Sequence, residues 1–211
     1  MAKTAAFDHH VNDYEAWFTM NEYAYASELD AVRYFIPGEA EGIEIGVGTG
    51  LFATPFDIRY GVEPSAAMSE KARQKGIEVY NGIAENLPVK DASFDFTLMV
   101  TTICFVDDPG KAMQELFRIL KPGGRAVIGF VDKDSPIGKQ YQAIKEESVF
   151  YKEASFFSTA EVLNYLEDAG FSKANTVQTI FGNLQDIKDV QPFKPGYGDG
   201  SFVVIAAEKD R

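Results

Sequence analysis

Between Gly42 and Val131, short apolar segments alternate with segments that have the pattern of helices. The apolar segments are GIEIGV, IRYGVE, IEVYNG, FDFTLMV and RAVIGFV. Strands that are apolar along nearly their whole length are typical of a parallel sheet covered by helices on both faces. The alternation therefore predicts an α/β fold with a doubly wound sheet.

Two of the intervening helices carry clear start and stop signals. The segment SAAMSEKARQK is predicted to be helical, with Gly76 at its end. A second helix is predicted to begin with Asp108 as its cap and Pro109 at its first position, and to end at KPGG. The segment LFATPF is interrupted by Pro55, so only a short helix is expected after the first strand.

We expect a single domain over residues 1–211, in which residues 42–131 form the central α/β unit. Residues 1–37 have the apolar spacing of helices, which predicts a helical N-terminal cap. Residues 132–157 form an aromatic, partly charged insert after the fifth strand, and we expect them to act as a lid. Residues 158–211 contain a C-terminal helix and edge strands.

The C-terminal part begins with a predicted helix from Ser158 to Ala169, in which Ser158 and Glu161 have the spacing of a capping box. Two strands, KANTVQTIF and SFVVIAAEK, follow without a predictable helix between them. Parallel strands need a long crossover, which is usually a helix. These two strands are therefore predicted to pair antiparallel at the edge of the sheet.

The charge of the chain restricts its partners. Its 20 Lys and Arg against 32 Asp and Glu give a net charge of −12, and no basic cluster is present. Because binding to nucleic-acid backbones needs a basic surface, nucleic acid is not expected, and a small-molecule or protein substrate is favoured. The single Cys104 excludes an internal disulfide and a cysteine-only metal site, and no metal-ligand spacing is present.

No apolar run is long enough for a transmembrane helix, and the N-terminal MAKTAAFDHH lacks the apolar core of a signal peptide. We therefore expect a cytoplasmic protein that does not bind a membrane. Nothing in the pattern distinguishes a monomer from a homodimer.

The strongest local signal is EIGVGTG, which runs from Glu44 to Gly50 at the end of the first strand. Glycines at positions 46, 48 and 50 permit a tight turn and allow the backbone to approach a ligand closely. A helix that begins after Gly50 would present free N–H groups to a carboxylate or phosphate. An ordinary turn is the alternative, but the position between a strand and a helix favours a ligand-binding loop.

Glu63 ends the second strand and is the second signal. An acidic residue at this position can accept hydrogen bonds from both hydroxyls of a ribose. The alternative is a solvated Glu that suits the dipole at a helix start. The glycine-rich loop at the neighbouring strand end favours the ligand.

A nicotinamide-dependent oxidoreductase would show similar features. Its motif is G-x-G-x-x-G, whereas here Gly50 comes one residue too early and Leu51 occupies the place of the third glycine. The acidic Glu44 is also unusual in that motif. The spacing disfavours a dinucleotide enzyme, which stays as an alternative.

Four motifs in the same order resemble those of class I S-adenosylmethionine-dependent methyltransferases. They are EIGVGTG, GVEPSAAM, NGIAENLPVKDASFDF and ELFRILKPGGRAVIGF, and they are most similar to the type 11 small-molecule enzymes, such as those of ubiquinone and menaquinone biosynthesis. The resemblance implies a Rossmann-like seven-stranded sheet of order 3-2-1-4-5-7-6 with an antiparallel seventh strand. It also implies S-adenosylmethionine as cofactor and S-adenosylhomocysteine as product.

The resemblance further implies roles for matching residues. Glu44 would orient the ammonium of the cofactor, and Glu63 would bind its ribose. The distance from Gly50 to Glu63 is shorter than usual in the family, so the first helix must be short. The other implied cofactor residues are Gly46, Gly48 and Gly50 around the methionine part, Ser65, Met68, Ala84, Glu85 and Leu87 beside the adenine, and Thr101 and Thr102 near the reactive centre.

Candidate substrate residues lie in two parts of the chain. Tyr14 and Trp17 belong to the N-terminal segment, which often closes over the cofactor in the resembled family, with core packing as the alternative. His10 has the chemistry of a general base, although a surface position is favoured. The insert adds three aromatic residues that would either wall a substrate pocket or pack the lid onto the sheet: Tyr141, Tyr151 and Phe156.

The implied reaction is methyl transfer to a small-molecule acceptor by in-line attack on the sulfonium methyl. Because this methyl is already activated, the protein mainly has to align the acceptor and exclude water. No residue stands out as a catalytic base, and the fourth strand is followed by TTICFVDDP rather than the Asn-Pro-Pro-aromatic motif of DNA and protein amino-methylating enzymes. A non-catalytic S-adenosylmethionine-binding protein is the second alternative, because a fold does not determine an activity.

Overall fold

The computed structural model describes residues 4–211, so residues 1–3 of the expected cap lie outside the described residues. The α-helices are α1 (Ala5–His9), α2 (Val11–Met20), α3 (Glu22–Arg33), α4 (Ala66–Gln74), α5 (Pro109–Ile119), α6 (Pro136–Ala143) and α7 (Thr159–Asp168). The strands are β1 (Gly42–Ile45), β2 (Tyr60–Val62), β3 (Glu78–Tyr80), β4 (Phe94–Val100), β5 (Leu120–Val131), β6 (Ser172–Thr179), β7 (Lys194–Pro195) and β8 (Phe202–Glu208).

The strands form one sheet of order β3-β2-β1-β4-β5-β8-β6-β7. Strands β1 to β5 pair in parallel, and β8 lies antiparallel between β5 and β6. This confirms the α/β fold class and the expected 3-2-1-4-5-7-6 arrangement, with β8 as its antiparallel seventh strand. The count of seven was one too few, because the two-residue β7 adds to the outer edge of β6. Its Pro195 lacks an N–H donor and suits an edge strand.

The short helix expected over LFATPF is reduced to a single 3-10 turn, and no α-helix begins directly after Gly50. A turn follows Gly50, then a single 3-10 turn at Thr54–Phe56. Pro55 removes an amide donor, and Asp57 ends the turn with a left-handed φ of 55°. The helix start that was expected to present free N–H groups directly after Gly50 is therefore not formed.

The junction between α5 and β5 also differs from the prediction. The helix ends at Ile119 and the strand begins at Leu120, so KPGG belongs to β5 rather than to the end of the helix. The segment is drawn into the strand by hydrogen bonds to a residue that is distant in the sequence. The Gly123 N–H donates to the Lys209 carbonyl, and the Lys209 N–H donates to the Gly124 carbonyl, which extends the sheet through this segment.

Helix caps follow the sequence signals. The Asp108 side chain accepts the Lys111 N–H at the start of α5, and Pro109 occupies its first turn. Ser158 and Glu161 form a reciprocal capping box at the start of α7. At the N-terminus, the expected helical segment is divided into three helices, α1 to α3.

Two apolar clusters cover the two faces of the sheet, and β8 shows how. Its side chains alternate along the strand: Phe202, Val204 and Ala206 belong to one cluster, and Val203, Ile205 and Ala207 to the other. Ala31 and Val32 of α3 pack in the first cluster. Residues of α5 and α7 pack in the second. This confirms the doubly wound arrangement, whose parallel strands all end at one edge.

Candidate active site

The glycine-rich loop follows β1 at the edge where the parallel strands end. The Gly46 N–H donates to the Val62 carbonyl of β2 over 2.8 Å, which holds the loop against the neighbouring strand. The φ angles of Gly46, Gly48 and Gly50 are +70°, +53° and +81°, a region that side chains disfavour. A Cβ at Gly46 would lie 2.3 Å from Oγ1 of Thr102, so the loop packs closely on the end of β4.

Glu63 follows β2 and contacts the loop. Its Oε2 accepts the Gly48 N–H over 2.9 Å, and its Oε1 accepts the Ser65 N–H over 2.8 Å. Burial raises the pKa of Glu63; the two N–H groups oppose this, and the Asp8 charge adds to it. Since a carboxylate oxygen has two lone-pair sites, each oxygen keeps capacity to accept a ligand hydroxyl.

Glu44 lies on β1 with 2% of its surface exposed. Among the described residues, its Oε2 has no hydrogen-bond partner. Burial raises the pKa of Glu44 well above its ordinary value; a hydrogen bond from the Ala53 backbone opposes the rise, and the Glu63 charge adds to it. A buried, unpaired carboxylate oxygen is costly, and it marks a place where a donor is missing.

Ser65 connects α1 to α4 rather than facing the ligand side. Its Oγ accepts the Met68 N–H over 3.2 Å as the cap of α4, and it donates to Oδ1 of Asp8 over 2.6 Å. This second hydrogen bond is the main cause that lowers the pKa of Asp8. Helix α1 is thereby held next to Glu63.

Phe7 joins α1 to the opposite side of the site. Its ring centroid lies 4.9 Å from Phe105, which follows β4, and 5.5 Å from Phe150 of the insert. Tyr14 of α2 lies 6.3 Å from Phe7 and 6.3 Å from Phe150. The N-terminal helices and the insert therefore meet above the strand ends.

A cavity of about 360 Å³ lies beneath this cover, within the size range of small-molecule sites. The predicted cofactor residues on its wall are Gly46, Gly48, Glu63, Met68, Ala84, Glu85, Thr101 and Thr102. The predicted substrate residues on its wall are Tyr14, Trp17, Tyr141 and Tyr151.

Six predicted site residues do not line this cavity: Glu44, Gly50, Ser65, Leu87, His10 and Phe156. A Cβ at Gly50 would lie 2.6 Å from the Ile77 side chain, so this glycine is needed for packing. Leu87 is buried in the core cluster on one face of the sheet. The His10 Nδ1 pairs with Asp13 over 2.9 Å with 41% of the side chain exposed, and Phe156 lines a small neighbouring void.

The cavity runs along the edge where the strands end and extends past β4 in both directions. Glu63 and the glycine-rich loop lie at the β2 and β1 ends, whereas Val131, Ile180 and Phe202 lie at the β5, β6 and β8 ends. We call the first part the loop half and the second part the aromatic half, which also contains Trp17, Phe18, Tyr141 and Tyr151.

Two β-branched residues on the cavity wall have left-handed backbones. Thr101 has a φ of 51° and Ile180 a φ of 62°. Such conformations cost on the order of 1–3 kcal/mol and concentrate at functional sites. The Thr101 backbone is held by its N–H bond to the Gly129 carbonyl over 2.8 Å. This turn directs the chain after β4 along the cavity, where Thr102 follows.

The sequence interpretation missed several residues of this site, among them Phe7, Asp8, Glu28 and Phe105. Phe7 and Asp8 belong to a short helix without a strong periodic pattern. Glu28 carried a usable signal, because it lies on the same helix face as Tyr25, Leu29 and Val32, where an acidic residue is out of place. A buried acid in an apolar stripe is rare unless it is paired or functional.

Within residues 4–211, no group of three or more His, Cys, Asp or Glu side chains is arranged to hold a metal ion. In the same part of the chain, no helix combines the length and apolar character that crossing a bilayer requires.

Comparison with known proteins identifies the family. A family model for a methyltransferase domain of type 11 matches residues 43–128. A SAM-dependent methyltransferase from Thermotoga maritima, a possible histamine N-methyltransferase, is 52% identical, with a TM-score of 0.95 over 98% of this chain and 100% of that chain. The chain belongs to the S-adenosylmethionine-dependent methyltransferases. The resemblance of its four motifs to that family is thereby confirmed.

Two further relatives of this methyltransferase extend the comparison. The uncharacterized protein MJ1123 of Methanocaldococcus jannaschii is 44% identical over 203 residues, which are 96% of this chain and 98% of that protein. A phosphoethanolamine N-methyltransferase 2 of Haemonchus contortus, solved with phosphomonomethylethanolamine and S-adenosylhomocysteine, has a TM-score of 0.63 at 18% identity. The match covers 87% of this chain and 52% of that chain. At 18% identity, the match is evidence for a shared fold alone.

The cofactor of this methyltransferase is S-adenosylmethionine, as expected from the motifs. The dinucleotide alternative is not supported, which agrees with the position of Gly50 and Leu51 in the loop. The family also favours an enzyme over a non-catalytic binding protein.

Proposed function

We propose that this methyltransferase transfers the methyl group to a small-molecule acceptor by in-line attack on the sulfonium methyl. The observation that carries the proposal is one continuous cavity of about 360 Å³ that joins the glycine-rich loop and Glu63 to an aromatic half. Two ligands can meet in such a cavity under a shared cover.

The loop half has the chemistry of a cofactor site. Gly46 and Gly48 line the cavity without side chains, so a ligand can contact the loop backbone, and the Tyr14 hydroxyl lies beside Gly48. The Glu63 carboxylate binds the ribose hydroxyls, and the unpaired Oε2 of Glu44 orients the ammonium through water. The remaining cofactor contacts are assigned to Gly46, Met68, Ala84, Glu85, Thr101 and Thr102.

The aromatic half is assigned to the acceptor. Trp17, Tyr141 and Tyr151 form large apolar walls, and Phe202 closes the side at the start of β8. When bound, the cofactor supplies an activated methyl group, so the protein contributes alignment of the acceptor and exclusion of water. Alignment of this kind lowers a barrier by about 7 kcal/mol or more in favourable cases.

The test is methyl transfer from radiolabelled S-adenosylmethionine to a panel of small amines, phenols, carboxylates and thiols. Histamine belongs in the panel because the Thermotoga relative is a possible histamine N-methyltransferase. We expect turnover of at least one small molecule, with loss of activity in Glu63→Gln. Binding of S-adenosylhomocysteine without transfer to any panel member, but with transfer to a protein or RNA, would contradict the small-molecule assignment.

A further inference from the structure

Glu28 is a charged residue inside the aromatic half. It lies on α3, on the face that packs toward the sheet, and only 6% of its surface is exposed. It nevertheless lines the cavity together with Tyr141 and Tyr151. No function has been assigned to it so far.

Within residues 4–211, no hydrogen-bond donor or basic side chain reaches the Glu28 carboxylate, and burial alone raises its pKa to about 8. The Glu28 charge is among the causes that raise the pKa of four tyrosines: Tyr14, Tyr25, Tyr141 and Tyr151. A carboxylate buried without a partner is unfavourable for folding. Its position is explained if a ligand supplies the missing partner.

Three of the four other acids on the cavity wall are held by hydrogen bonds or an ion pair within the protein. Glu63 accepts two backbone N–H groups, and Glu85 accepts the backbone N–H groups of Asp107 and Asp108. Asp13 pairs with His10. Glu28 differs from these three because, among the described residues, no hydrogen bond or ion pair holds its carboxylate.

The whole cavity has a negative character. Five acidic residues line it, whereas none of the described lining residues is Lys, Arg or His. The aromatic walls around Glu28 add rings whose faces attract cations. Such an environment favours a cationic acceptor and disfavours an anionic one.

We propose that Glu28 binds a protonated amine as the methyl acceptor and takes up its proton. This inference rests on the proposed function and names the substrate class of the same cavity. An ammonium group has no lone pair, so it must lose a proton before it can be methylated. At neutral pH the free protein holds a proton on Glu28, and binding of the ammonium releases this proton to solvent. The ionised Glu28 then accepts the ammonium proton and becomes a neutral carboxylic acid.

The amine nitrogen then forms a bond to the methyl carbon as the carbon–sulfur bond breaks. The electron pair of that bond stays on sulfur, which becomes the neutral thioether of S-adenosylhomocysteine. The nitrogen leaves as a methylated ammonium, and the proton on Glu28 is released to solvent in the next cycle. Atoms and charge balance without a further reactant.

The test measures binding to the complex of the protein with S-adenosylhomocysteine by calorimetry. The probes are phenethylamine, its neutral analogue 2-phenylethanol and its anionic analogue phenylacetate, with histamine as a second amine. We expect the amines to bind at least tenfold more tightly than 2-phenylethanol, and phenylacetate to bind most weakly. In Glu28→Gln, amine affinity falls at least tenfold while that of 2-phenylethanol is unchanged.

Glu22→Gln is the matched control, since Glu22 is an exposed acid on the same helix outside the cavity. It should leave all affinities unchanged. Amine binding to the wild-type protein should also release about one proton at pH 7, which calorimetry in buffers of different ionisation enthalpy measures. A merely structural carboxylate would release none.

Separate results decide the two proposals. If S-adenosylhomocysteine does not bind the wild-type protein, the proposed function itself fails. If S-adenosylhomocysteine binds but neither amine binds better than 2-phenylethanol, or if Glu28→Gln retains full amine affinity, the inference about Glu28 is overturned. Unchanged binding of S-adenosylhomocysteine by Glu28→Gln shows that the variant is folded.

Discussion

The Oε2 atom of Glu63 accepts a hydrogen bond from the Gly48 N–H over 2.9 Å, which links the end of β2 to the glycine-rich loop after β1. The two residues are 15 positions apart in the chain, and the sheet makes them neighbours. The bond orients the carboxylate before any ligand arrives. Because the group is already oriented, less conformational entropy is lost when a ribose binds.

The first prediction concerns cofactor selectivity. Because of the glycine spacing in the loop and the position of Glu63, the protein should bind S-adenosylhomocysteine. It should not bind NAD or NADP with comparable affinity. Isothermal titration of the purified protein with each compound measures this. Tight binding of NAD without a response to S-adenosylhomocysteine would contradict the cofactor assignment.

The second prediction is that Glu63→Gln weakens cofactor binding by about 1.5–3 kcal/mol, the scale of a hydrogen bond to a charged group. The amide also faces two backbone N–H groups with only one acceptor oxygen, so the melting temperature should fall slightly. Glu70→Gln, at an exposed position of α4, serves as the control. If the variant binds the cofactor with the dissociation constant of the wild type, Glu63 holds the glycine-rich loop but does not bind the cofactor.

The third prediction is that residues 132–157 and the N-terminal helices form a mobile cover. Hydrogen exchange of these segments should be fast in the free protein and slow with S-adenosylhomocysteine, because a closed cover excludes water. Asp8→Ala removes the bond to Ser65 and should speed exchange of α1 in both states. Strong protection that does not depend on the ligand would identify a fixed element instead.

The fourth prediction concerns stability against pH. The pKa of Glu28 is about 8 in the folded protein, against an ordinary value of 4.5. Between these values the folded state holds a proton that the unfolded state has lost, so the free energy of unfolding falls as pH rises, by up to about 1.4 kcal/mol per pH unit. Burial raises the pKa of Glu44 and Glu63 too, which adds to the same trend.

Glu28→Gln should remove the Glu28 part of this dependence. The variant should match the wild type near pH 4, below the ordinary pKa of Glu28, and be more stable at pH 8.5, where the wild type carries a buried charge. Urea denaturation at both pH values measures the difference. An identical pH dependence in the two proteins would show that the Glu28 carboxylate is solvated in the folded state.

Local patterns in the sequence determined much of this protein. The apolar strands of residues 42–131 predicted the parallel part of the sheet, and the missing crossover helix predicted that β6 and β8 pair antiparallel. The caps at Asp108 and Ser158 were readable because a cap depends on residues only three positions apart. The glycine-rich loop and Glu63 were recognisable for the same reason, since each lies directly at a strand end.

Tertiary structure alone decided the rest. The KPGG segment became part of β5 because Lys209, far away in the chain, supplies its hydrogen bonds. Ser65 caps α4 and binds Asp8, a contact between residues 57 positions apart. Glu28 becomes a cavity residue only when α3 packs on the sheet beside the insert, because burial and the absence of a partner depend on the surrounding elements. The sequence shows that residue 28 is acidic and on which face of the helix it lies. It does not show which residues that face contacts in the folded protein.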